Sequence, residues 1–163
     1  MRKSFLIMFL LLAMIVTTAC GSSQTSKEEE KDIKKADEAV YDFIVAHVEG
    51  DDDLFKEVLM EDAQGILEDG HHAHPGISEE MGERYEIKRY ENHLKDGKLY
   101  YYIKFYRPVN GEMDHRNVLM VKDQDGEWRS TTLMGIDRDK MRSAMGDEEP
   151  TVVHKMKGDE GDE

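Results

Sequence analysis

Three histidines within four residues, His71, His72 and His74, come closest in this chain to a chemical motif. Neutral imidazoles ligate zinc and copper, and His72 and His74 share a face in an extended segment. Imidazoles also titrate near ~6.5, so the same cluster is a candidate pH sensor. Three ligands so close in sequence wrap a single ion poorly. Gly65, Gly70, Pro75 and Gly76 surround them, and such punctuation predicts an exposed polar loop. A second set is aromatic: Tyr100, Tyr102 and Tyr106, with Tyr85, Tyr90, Tyr101 and Trp128 nearby, offers a pocket or a partner surface. Tyrosine is also a good strand former, and packing across neighbouring strands is the plainer expectation. Asp123-Gln124-Asp125-Gly126 begins like a calcium loop but lacks the glutamate at its twelfth position, so a hairpin turn is expected. Gly-x-Ser-x-Gly, His-Glu-x-x-His and phosphate-cradling glycine loops are missing, and no catalytic residue is assigned.

The chain has one cysteine, Cys20, and its surroundings give it a role. Arg2 and Lys3 precede an unbroken apolar run from Phe5 to Val16, and small residues follow it. A basic start, a short apolar core and small residues before a cut point predict a secretory signal peptide over residues 1–19. The run is shorter than the ~20 residues a spanning helix requires. Ala19-Cys20-Gly21 resembles the lipobox of bacterial lipoproteins, with Thr17 standing where such families usually carry leucine. That resemblance implies cleavage between Ala19 and Cys20 and a diacylglyceryl group on the Cys20 sulfur. A stray thiol in an oxidising compartment would be a liability, which favours a modified one.

Charge narrows the partners. The chain carries 22 basic and 36 acidic side chains, a formal net charge of −14. Removal of the signal takes away Arg2 and Lys3 and makes it more acidic still. Nucleic acid is excluded as a partner, because phosphate neutralisation requires clustered cations. Anionic headgroups would also repel such a chain, leaving any membrane attachment to an acyl anchor.

The elements that must position these residues are legible in part. Cys20 and a Gly/Ser-rich stretch predict a lipidated, flexible tether over 20–31, with a capping box at Ser26-Lys27-Glu28-Glu29. Ile33, Ala36, Val40, Phe43, Ile44, His47 and Val48 recur at helical spacing, and Gly50 is a stop. Asp51-Asp52-Asp53 caps a second short helix carrying Leu54, Phe55, Val58 and Leu59. Asp96-Gly97, Asn110-Gly111 and Asp125-Gly126 predict hairpins between strands at Arg84–Leu94, Lys98–Arg107, Met113–Lys122 and Glu127–Leu133. In the second strand Leu99, Tyr101, Ile103 and Phe105 share one face, and Tyr100, Tyr102, Lys104 and Tyr106 the other. A short helix is expected over Ile136–Met145. Residues 146–163 are acidic and aperiodic and predict a disordered tail.

These elements define an α+β domain over residues 32–145, an N-terminal helix and a short second helix packed on a four-stranded antiparallel meander. The stretch Ala36…Val40-Tyr41-Asp42-Phe43-Ile44…Glu49-Gly50-Asp51, then Phe55 and Val58-Leu59, resembles the start of cystatin-like and NTF2-like domains in small Gram-positive lipoproteins. Such a cone implies a cavity between helix and sheet, used in the family for ligand binding, dimerisation or occasional isomerase chemistry. The reading is a lipid-anchored protein on the extracytoplasmic face of the cell membrane, carrying a non-enzymatic binding or interaction module. Its expected partners are the membrane, an envelope protein or a small-molecule ligand, and no cofactor beyond the lipid on Cys20. The alternatives are a zinc- or copper-binding lipoprotein using His71, His72 and His74, and an NTF2-like small-molecule enzyme.

Overall fold

Periodic apolar residues from Ala36 to Val48 build the element on which the domain rests, helix α1 (Gly21–Glu49). The structure, a computed structural model, describes residues 21–67 and 73–157. Met1 to Cys20, and with them the signal peptide, the Ala19–Cys20 cleavage site and the lipidation site, lie outside the described residues, as do His71 and His72. The chain divides into two compact units between Lys34 and Lys35. The first, as far as it is described, is the opening of α1, with Lys27 to Lys31 exposed. The helix therefore starts within the expected tether and runs through the capping box at Ser26. Extending an existing helix by a residue is far less costly than nucleating a new one, so a local start signal is easily overrun.

In the second unit α1 ends as its sequence predicts. Gly50 takes a positive φ of 66°, and the next residue begins a new cap. Asp51 Oδ1 accepts the backbone N–H groups of Asp53 and Leu54 at 2.9 and 3.0 Å. That satisfies two of the orphan donors of α2 (Asp52–Val58). A 3₁₀ turn (Glu61–Ile66) and the four-residue α3 (Ser78–Met81) follow.

The sheet has five antiparallel strands in the order β4-β3-β2-β1-β5, one more than the sequence predicts. They are β1 (Tyr85–Tyr90), β2 (Lys98–Arg107), β3 (Glu112–Lys122), β4 (Trp128–Ser130) and β5 (Thr151–His154). The alternation expected in β2 is observed: Leu99, Tyr101, Ile103 and Phe105 are buried, and the residues between them are half-buried. Each of the three hairpins carries its glycine at positive φ, with no second positive-φ residue beside it. None is therefore a two-residue type I′ turn, which requires positive φ at both central positions. The first connection is the longest. Its 3₁₀ turn (Leu94–Asp96) ends β1 at Tyr90, well short of Leu94, and closes on Gly97.

Of the expected disordered tail over 146–163, residues 151–154 form a strand instead, and residues 158–163 lie outside the described residues. Helix α4 (Arg138–Met145) forms where a short helix is expected, and the chain then adds β5 beside β1. Asn117 accepts from Ile136 N–H at 2.6 Å before α4, at the β3 side of the sheet. After α4, Glu148 accepts the backbone N–H of Glu91 and Asn92 beyond β1. The connection thus runs from one side of the sheet to the other. Met141 is buried in α4 yet stands apart from the core cluster under α1. What the local pattern lacks, edge pairing supplies. A bulge next to Ile87 and Lys88, and Pro150 just ahead of β5, blunt this outer edge against further pairing. At the opposite edge Met60 N–H donates to the Ser130 carbonyl at 2.9 Å and covers β4.

Between α1 and the sheet, Val40, Phe43, Ile44, Leu99, Tyr101, Ile103 and Phe105 are all fully buried. Burial of each large apolar side chain contributes roughly 1.5–3 kcal/mol. Three aromatic rings, of Phe43, Tyr101 and Phe105, and four aliphatic side chains thus pack between this helix and the sheet.

Candidate functional site

Three clefts are lined by described residues. The most chemically distinctive lies where α1 ends, and His47 lines it. His47 sits one turn after Phe43 on the core face of the helix, and its ring packs edge-on to Phe43 at 4.7 Å and Phe55 at 4.9 Å. Its Nε2 meets the Leu133 carbonyl at 2.9 Å. A carbonyl only accepts, so Nε2 carries the proton and Nδ1 is left as an acceptor. Burial, then the Arg116 guanidinium, pushes its pKa down to about 4, so the ring is neutral at pH 7.

The Leu133 carbonyl is held in place by its own loop. Ser130 Oγ donates to the Thr132 carbonyl at 2.8 Å, and Thr132 Oγ1 to that of Gly135 at 2.7 Å. Gly135 adopts φ +81°, and a Cβ there would stand 2.6 Å from the Asn117 carbonyl oxygen. Only glycine fits so close to β3 in this conformation.

The cleft holds about 240 Å³ and is lined by His47, Val48, Glu49, Gly50, His74, Arg107, Val109 and Asn110. Each polar group in it has a distinct state. Glu49 Oε1 accepts from Gly76 N–H at 3.0 Å and Ser78 Oγ at 2.5 Å, and its backbone carbonyl accepts His74 N–H at 2.7 Å. Asn110 Nδ2 donates to Glu112. Asp114 is committed to Arg116 at 2.5 Å, while Arg107 reaches it only at 3.5 Å. The Arg107 guanidinium, more than a third exposed, thus keeps donors to spare.

The residues singled out by sequence fare differently. His74 is exposed and lines this cleft, a neighbour of His47 that its loop gave no sign of. No group of three His, Cys, Asp or Glu side chains suited to a metal ion occurs among the described residues. Tyr100, Tyr102 and Tyr106 share a face of β2 but are engaged separately. Tyr100 meets His93 edge-on at 5.5 Å, Tyr102 lies 6.4 Å from His115, and the Arg84 guanidinium stands 3.5 Å over the Tyr106 ring. None of the three lines the His47 cleft or the two larger ones at the β4 side. Those open clefts, about 690 and 650 Å³, share Lys56 and Arg129 and have mixed charge. In one of them partial burial, with Glu38 and Glu57 nearby, pushes the Asp42 carboxyl up. Arg129 is occupied there, donating to Asp123 at 2.7 Å and to the Glu57 carbonyl.

No helix among the described residues is long and apolar enough to cross a membrane. No protein family, curated protein or solved structure matches the chain.

Proposed function

We propose that this protein is a lipid-anchored lipoprotein of the extracytoplasmic membrane face, carrying a non-enzymatic binding or interaction module. The observation that carries the reading is the place of Cys20, the sole cysteine, between an apolar run and Gly21-Ser22-Ser23. Two acyl chains hold a protein stably at a bilayer, at about 0.8 kcal/mol per buried CH₂. A strongly acidic chain requires such an anchor, since its charge opposes attachment.

The module is read as a helix-on-sheet domain of the cystatin-like or NTF2-like kind. The burial of Phe43, Tyr101 and Phe105 between helix and sheet supports binding at the surface, because an NTF2-like enzyme would need space there for substrate. The test is mass spectrometry of the mature N-terminus, with membrane fractionation of wild type and Cys20→Ala. We expect a diacylglyceryl-modified Cys20 at the start of the mature chain and release of the variant from membranes. An unmodified thiol at Cys20 in the mature protein overturns the reading.

A further inference from the structure

The cleft at the end of α1 presents two complementary groups that its own side chains leave unspent. His47 offers only an acceptor, Nδ1, because its single proton is held on the Leu133 carbonyl at 2.9 Å. Among the described residues Nδ1 has no hydrogen-bond partner, and it is not shut away from solvent without one. Arg107 offers only donors, and its one side-chain contact among the described residues is the 3.5 Å approach to Asp114. That approach is to Asp114 Oδ2, while Oδ1 of the same carboxylate takes Arg116 at 2.5 Å and His115 N–H at 2.7 Å, so one carboxylate is shared between two guanidinium groups. Glu49 is turned to Gly76 and Ser78, and Glu112 to Asn110.

A ligand that satisfies both groups needs an anionic acceptor for the guanidinium and a donor for the imidazole. Planar carboxylate matches the guanidinium fork. The room, about 240 Å³, equals roughly eight waters at ~30 Å³ each and lies below the ~300–1,000 Å³ of drug-sized pockets. We infer that this cleft binds a small α-hydroxy or α-amino carboxylate, its carboxylate on Arg107 and its hydroxyl or amine donating to His47 Nδ1. The inference rests on the binding half of the function proposed above and is independent of the anchor.

The test uses the mature full-length chain in detergent micelles, titrated with glycolate, glycine, propionate and inorganic phosphate and followed by His47 ring and backbone amide chemical shifts. Glycolate or glycine should bind about fivefold tighter than propionate, which lacks the donor. Which of the two binds better identifies the donor as hydroxyl or amine. Arg107→Gln, at the half-buried end of β2, should weaken glycolate and glycine about tenfold and shift the melting temperature little. His47→Gln keeps a donor for Leu133 but replaces Nδ1 with an amide oxygen on a shorter, differently angled group, so it should reduce the advantage over propionate. Failure of every probe to shift these signals overturns the inference, as does phosphate or propionate binding as well as glycolate. An unacylated Cys20 in the same sample would count against the anchor alone, so the two readings fail separately.

Discussion

The hydroxyl of Tyr101 donates to Asp37 Oδ1 at 2.8 Å, joining the middle of β2 to the face of α1 that covers it. Arg89 of β1 donates to the other oxygen of the same carboxylate and, through Nε and a terminal nitrogen, to Glu91 at 3.0 and 2.8 Å. Burial and the neighbouring Asp37 carboxylate push the Tyr101 phenol well above its ordinary range. Burial opposes the charge on Arg89, but its bonds to Asp37 and Glu91 prevail and raise its pKa. A polar network thus fixes helix against sheet where apolar contacts alone would allow sliding.

Removing one hydroxyl from this network should cost less than removing its acceptor. Tyr101→Phe leaves Asp37 with Arg89 and is expected to lower stability by about 1.5 kcal/mol. Asp37→Ala strands a buried hydroxyl and part of a guanidinium, and is expected to cost about 3 kcal/mol. Urea unfolding of both variants checks the order. A smaller loss in Asp37→Ala would show that the carboxylate is not the hub.

His47 should give the protein an acid-sensitive limb. Its folded pKa, about 4, lies below the ordinary 6.5, so the unfolded chain binds a proton the native state refuses. Between those values the unfolded state holds more protons, and stability rises with pH. The contribution is complete above about pH 6.5 and lost as pH falls to about 4, up to roughly 3 kcal/mol in all. Denaturation across this range should show the slope in wild type and its reduction in His47→Gln.

Gly135 should tolerate no side chain. Alanine there meets the Asn117 carbonyl oxygen at 2.6 Å in a conformation already unfavourable for an L residue. A loss of about 2 kcal/mol is expected, with movement of the Leu133 carbonyl away from His47. Thermal unfolding reads the first effect and the His47 ring resonances the second. Unchanged resonances would separate the loop from the imidazole.

The fifth strand should distinguish its two valines. Val153 packs against the core, while Val152 is 54% exposed. Val153→Asp buries a charge and is expected to cost about 2 kcal/mol or more. Val152→Asp should fall within about 0.5 kcal/mol of wild type. Equal effects by urea titration would mean that β5 is not docked as described.

Some of this was legible from local pattern alone. The alternation of Leu99, Tyr101, Ile103 and Phe105 declares which side of β2 is buried, because side chains along a strand alternate faces. Gly50 and Asp51 mark one helix end and the next cap, since both act through their own backbone neighbours. His47 stands on the core stripe of α1 by spacing. Its carbonyl partner is 86 residues away, a relation no local pattern contains.

The sequence by itself thus determined the α+β class, the core face of α1 and the sole cysteine at Cys20. Those properties follow from period, composition and cap chemistry. Tertiary structure decided the rest. It turned Thr151–His154 into a fifth strand, because a free sheet edge supplies hydrogen bonds that four β-branched and polar residues cannot make alone. It brought Phe43 of α1 together with Tyr101 and Phe105 of β2 in the core, a meeting of residues far apart in sequence. It also brought His47, His74 and Arg107 to one cleft, as the ends of a helix, a loop and a strand converge only once the sheet has formed.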